Sequence, residues 1–104
     1  MIKVGKTITE ASEILRLGYQ YRSDSKLLKE DYLGALQDIN ENIKMREEWS
    51  LGYIISGKIK LAMGKTNYAC DDFKKALQVS LKNENEGGED QQEIQKLIDD
   101  NCNL

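Results

Sequence analysis

The chain has 104 residues, a formal net charge of −3, 39% hydrophobic and 32% charged residues, and neither proline nor histidine. That length suits one domain with a modest core, and no apolar run approaches the ~20 residues of a membrane span. Without histidine, Ser–His, Cys–His and His–metal sites are excluded. The charge is uneven: residues 1–82 carry 14 basic and 11 acidic side chains, whereas 83–104 set Lys96 against seven acids. Such a tail solvates the end of a fold, and neither part has the basic stripe of a nucleic-acid binder. The opening MIKVGKTITEASEIL lacks the unbroken apolar stretch of a secretory signal. The expectation is therefore the cytoplasm if Met1 is the natural start, and the periplasm or secretion if a leader has been removed.

In chain order, Thr7 and Glu10 come first, with the spacing of a capping box. Ile8, Ala11, Ile14 and Leu15 predict a helix over 8–15 that is either a lengthened first helix or the remnant of a preceding repeat. LGYQYRSDSKL follows at 17–27, and LGYIISGKIKL stands 34 residues further on, at 51–61. Aligning 16–49 with 50–83 gives seven identities: Leu17/Leu51, Gly18/Gly52, Tyr19/Tyr53, Lys26/Lys60, Leu27/Leu61, Ala35/Ala69 and Asp38/Asp72. About two are expected by chance for this composition, so the chain carries an internal repeat of two helices per unit.

In the first unit Asp31 is the expected helix cap, with Ala35, Leu36, Ile39 and Ile43 on the inner stripe. In the second, the break MGKT at 63–66 precedes a helix capped by Thr66 or Asn67, with Ala69, Phe73, Ala76 and Leu77 on one face. Small residues at Ser23, Ala35, Gly57 and Ala69 let the paired helices approach closely. Trp49 joins the units, either stapling the turn between them or standing out as an anchor. Residues 83–89, with Gly87-Gly88, form a hinge, after which Asp90 and Glu93 open a capping helix over 90–102. Its apolar stripe is Ile94, Leu97, Ile98 and Cys102.

Tyr53, Ser56-Gly57, Lys60, Ala69, Phe73 and Ala76 in one unit, and Tyr19, Arg22-Ser23, Lys26, Ala35 and Ile39 in the other, resemble the tetratricopeptide repeat (TPR) pattern. The wording YRSDSKLLKEDYLGALQDINENIKM is similar to a bacterial variant of that repeat. NYACDDFKKALQV resembles a last repeat, with its Cys after the small Ala and a following helix that ends in Cys. The departures are the missing proline, Lys26 and Lys60 in place of the usual Tyr, and Asn42 in place of Ala. The resemblance implies an all-α, right-handed α–α solenoid of about five helices: a single domain with repeats at 16–49 and 50–83 plus the capping helix. It also implies a non-catalytic module that binds a peptide or protein segment on the concave face of its first helices. Projecting that face selects Leu17, Gln20, Asp24 and Leu28 from the first unit and Leu51, Ile54, Lys58 and Ala62 from the second, with Leu61 at its edge. An apolar groove flanked by Lys58 and Asp24 suits an amphipathic helix or an extended peptide. The family's clamp for acidic tails, which needs Lys and Asn here, meets Gln20, Asp24 and Ile54 instead. The alternative is a structural module, either the end of a longer repeat array or a self-associating homodimer.

No residue pattern points to catalysis, a metal or a cofactor. Gly-Lys-Thr occurs at 5–7 and 64–66, but a phosphate loop needs a glycine five residues earlier, and Ile59 stands there. Asp71-Asp72 and Asp99-Asp100 are adjacent, so on a helix they point ~100° apart and read as solvated charges. Cys70 and Cys102 are either two small buried hydrophobes or one bridge tying down the C-terminus, which would require an oxidising compartment.

Overall fold

The computed structural model describes residues 2–82 and 88–102, with side chains for 14–82 and 91–102. Five α-helices follow one another: α1 (Ile2–Leu28), α2 (Tyr32–Met45), α3 (Ser50–Ala62), α4 (Thr66–Lys82) and α5 (Gly88–Cys102). Each packs on the next in line, α1 on α2, α2 on α3, α3 on α4 and α4 on α5. The result is an all-α stack measuring 55 × 32 × 17 Å, as expected of a helical repeat that buries its apolar faces only against neighbouring units.

α1 runs unbroken through residues 8–15, which are thus part of a lengthened first helix rather than a separate element. It starts ahead of Thr7, so the Thr7–Glu10 box does not mark its beginning, and α5 likewise starts two residues ahead of Asp90. The side chains of Thr7, Glu10 and Asp90 lie outside the described ones, as does most of the expected hinge. Asp31 caps α2 as expected, its carboxylate accepting from the Gly34 N–H at 3.1 Å. Thr66 is already the first residue of α4, so neither it nor Asn67 stands in the flanking cap position.

The two turns within the units are the same turn, 34 residues apart. α1 ends through Glu30 at φ 62° and α3 through Gly64 at φ 77°. The following N–H groups reach back alike, Asp31 to the Lys26 carbonyl at 2.7 Å and Lys65 to the Lys60 carbonyl at 2.8 Å. Glycine takes this left-handed conformation freely, whereas a side chain there strains the backbone. Glu30→Gly is therefore expected to raise stability by about 1 kcal/mol and Gly64→Ala to lower it by about as much, read as shifts in the urea midpoint.

The core lies where the helix pairs close. Ala35, Ile39, Ile55 and Ile59 form one buried cluster, flanked by Leu27, Tyr32, Leu36, Leu51 and Met63. Ile54, Ala76 and Ile94 form a second, flanked by Tyr53, Leu77, Leu97 and Ile98. The small residues sit where the helices need them. A Cβ on Gly57 would lie 2.7 Å from Phe73 Cδ1, inside the ring's contact radius, and the buried Ser23 donates its hydroxyl to the Ala35 carbonyl at 2.9 Å. Trp49 is half-buried between two guanidinium groups, Arg16 at 3.7 Å and Arg46 at 4.2 Å from the ring centre. It staples the junction between the units through cation–π contacts.

Candidate functional site

Two helix pairs and α5 bring residues of α1, α3 and α5 into a charged row. The Lys58 charge of α3 reaches the Asp24 carboxylate of α1 without a direct ion pair between them. Lys58 in turn binds Glu93 of α5 at 3.0 Å. Burial raises the Asp24 carboxyl above its ordinary value, and Lys58 pulls it part of the way back. Around this row, Leu17, Gln20 and Leu61 are half-buried and keep part of their surface open.

The sequence expectation of an open groove through Ile54 and Leu51 is corrected. Ile54 is 2% exposed because Ile94 of α5 packs over it, and Leu51 turns toward the Ala35–Ile39–Ile55–Ile59 cluster. The physical reason is that α5 takes the place a further unit's first helix would occupy, so the last first helix is covered along that side. Leu17, Gln20, Asp24, Lys58 and Leu61 remain as the reachable part of the face, with Glu93 added by α5.

Another feature escaped the sequence reading. Lys26 binds Asp38 at 2.8 Å, and Lys60 binds Asp72 at the same distance. Asp72 also accepts from the Ser56 hydroxyl at 2.7 Å, while Arg22 approaches Asp38 at 3.6 Å. Each unit thus ties its first helix to its second through one half-buried Lys–Asp pair. Asp72 is not the solvated charge expected of it, although its neighbour Asp71 is exposed. The signal was present: Lys26/Lys60 and Asp38/Asp72 are both identities of the repeat. The same ion pair therefore recurs at the same place in both units. Asn42 is also buried and donates to the Arg16 carbonyl at 2.9 Å, linking α2 back to α1. Burial pushes the Tyr53 phenol up, with Glu47, Asp72 and Glu48 adding to the effect, so this ring stays neutral against the second cluster.

The structure joins Cys70 of α4 to Cys102 at the end of α5 as a disulfide. Beside it a polar cleft of about 290 Å³ is lined by Asn67, Asp71, Lys74 and Asn101. It offers no large apolar side chain to anchor a peptide. Among the described residues no group of three Cys, Asp or Glu side chains is arranged to hold a metal ion, and no helix is long and apolar enough to cross a membrane.

No family model matches the chain. Its sequence is similar to that of a heat shock protein. Over 65 residues, 62% of the chain, it is 34% identical to Heat shock protein STI1 of Saccharomyces cerevisiae (strain ATCC 204508 / S288c). The chain spans 11% of the length of that relative, so the match concerns one segment of a much longer protein.

The charged row makes a pH signature. Because burial raises Asp24 in the fold, the native state holds that proton more tightly than the unfolded chain does. The ionised carboxylate therefore opposes folding above the raised value, and the opposition fades as pH falls toward 3.8. Asp24→Asn is expected to raise stability at neutral pH and to flatten the dependence of the urea midpoint on pH just above 3.8. An unchanged profile would count against this burial.

Proposed function

We propose that the chain is a TPR-type protein-interaction module with no catalytic role. It binds a peptide or protein segment on the face formed by its first helices, between Leu17, Gln20 and Asp24 on α1 and Lys58 and Leu61 on α3. The observation that carries the reading is the Lys58–Glu93 pair between α3 and α5, with Asp24 of α1 near enough to feel the Lys58 charge and with Leu17 and Leu61 half-buried on the same two helices. A partner that covers this face removes apolar surface from water, worth roughly 25 cal/mol per Å², and meets fixed charges that set its register. The similarity to a segment of STI1 supports a role in protein binding of the same general kind.

The charge order narrows the ligand. Lys58 is already engaged by Glu93, which leaves Asp24 as the partly desolvated acid of the row. A peptide that sets a Lys or Arg opposite Asp24 offsets the burial of its carboxylate, whereas an acidic tail would meet like charge. The ligand is therefore an amphipathic helix or extended strand with one cation next to its apolar anchors. To test this, a peptide display library is selected against the whole chain, and the binders are titrated against variants. Asp24→Lys and Leu61→Glu are expected to weaken them at least tenfold, with Tyr68→Glu on α4 neutral. Binders lost on Tyr68→Glu but indifferent to Asp24→Lys would sink the reading. Ile54→Glu is unsuitable for this test, since it would unseat α5 instead of reporting on binding.

A further inference from the structure

We infer that the polar cleft beside the Cys70–Cys102 bridge takes a small zwitterionic thiol, an amino-acid or short-peptide thiol with both a carboxylate and an ammonium group, whose sulfur attacks Cys102 and unlatches α5 from α4. None of the residues assigned to the peptide takes part, so either reading can fail without the other.

One face of α4 and the end of α5 build the cleft. Asn67, Cys70, Asp71 and Lys74 follow one another at helical spacing, and Asn101 and Cys102 close the other side. Its volume of about 290 Å³ lies at the small end of ligand sites. The lining suits a charged molecule rather than an apolar one. Lys74 offers an ammonium for a carboxylate, Asp71 a carboxylate for an ammonium, and the two asparagines offer amides to either. Both charged side chains are exposed, and among the described residues neither belongs to an ion pair. A thiol carrying one charge of each sign therefore meets both, whereas a neutral thiol meets neither.

The bridge itself supplies the reacting group. Cys70 is 7% exposed, whereas Cys102 is only half-buried, so an entering thiolate reaches Cys102 first. Its sulfur forms a bond to Cys102 Sγ as the bond between the two protein sulfurs breaks, and Cys70 leaves as a thiolate. A second thiol then attacks the sulfur of the first, which gives the free symmetrical disulfide and the Cys102 thiolate. Two small thiols are thereby oxidised, the bridge is reduced, and the protons they gave up return to Cys70 and Cys102. The repeat sets this bond apart from the other joints of the stack. In the first unit the position of Cys70 is held by Leu36, which packs apolarly on the cluster shared by α2 and α3. α3 is thus held on α2 by a contact no thiol can undo, and α5 on α4 by one that a thiol can. Cutting it leaves the cover over Ile54 to Ile94, Leu97 and Ile98.

Bridge cleavage in the whole chain by glutathione and by 2-mercaptoethanol, compared per thiolate at low ionic strength, tests this. Adducts are trapped by acid and located by mass spectrometry, and helicity is checked by circular dichroism. Glutathione is expected to react roughly tenfold faster than 2-mercaptoethanol, with its adduct on Cys102. Lys74→Gln should slow glutathione severalfold and leave 2-mercaptoethanol unchanged. Asp71→Asn should slow glutathione too, although losing a negative charge would by itself favour an anionic thiol. Lys75→Gln removes the same charge as Lys74→Gln from an exposed neighbour outside the cleft, and should leave both rates unchanged. Adducts on Cys70, equal rates for the two thiols, or equal slowing by Lys74→Gln and Lys75→Gln would overturn the inference.

Discussion

Phe73→Ala is expected to remove about 3–5 kcal/mol of stability, much of the 5–15 kcal/mol that a domain of this size typically has. Phe73 is fully buried, and its ring lies flush against Gly57, where the two helices of the second unit come closest. Truncation would leave a cavity that α3 cannot collapse into, because Lys60–Asp72 and Ser56–Asp72 hold α3 and α4 at their present spacing. The converse substitution probes the same contact. Gly57→Ala gains helix propensity, yet its methyl must displace the ring, so the net effect is destabilisation despite the better helix former. Urea unfolding followed by circular dichroism reads both, and a midpoint unchanged in Phe73→Ala would refute this packing.

Reducing the Cys70–Cys102 bridge is expected to lower stability by about 3–4 kcal/mol, the loop-entropy value for its separation of 32 residues. The loss should be local at first. Without the bridge, α5 keeps Ile94 with its flanking Leu97 and Ile98, the exposed Lys58–Glu93 pair and a 3.4 Å bond from Gln91 to the Ser80 carbonyl. Exposed ion pairs add little, so α5 relies on one small apolar cluster. Hydrogen exchange should accelerate across α5 and at Ile54 before α1 and α2 respond. Cys102→Ser should reproduce the effect without reductant, and a reductant should leave the Cys70→Ser/Cys102→Ser double variant unmoved. Equal exchange in the oxidised and reduced chain would show that the bridge carries no stability.

The helix pairs were legible because their cause is local. Ala35, Ile39, Ala69, Phe73 and Ala76 recur at helical spacing, and the small residues opposite them announce the close approach. The covering of Ile54 was not legible, because it depends on where α5 lands after the linker. A projection of α3 by itself cannot distinguish a face turned to solvent from one turned to α5. Asp72 was misread for a related reason: its partners Lys60 and Ser56 lie on another helix, 12 and 16 residues away, and adjacency to Asp71 says nothing about them. The strained turn at Glu30 shows the repeat carrying information that residue preferences do not. Glutamate gives no hint of a left-handed conformation, yet its counterpart 34 residues on is Gly64.

Chemical-shift mapping of the ¹⁵N-labelled chain with a library-selected peptide tests the central claim, that the face of α1 and α3 is the binding surface. The perturbed amides are expected to concentrate at Leu17, Gln20, Asp24, Lys58 and Leu61, with Tyr68 and the rest of exposed α4 silent. Perturbations centred on α4, or spread evenly over the chain, would contradict it.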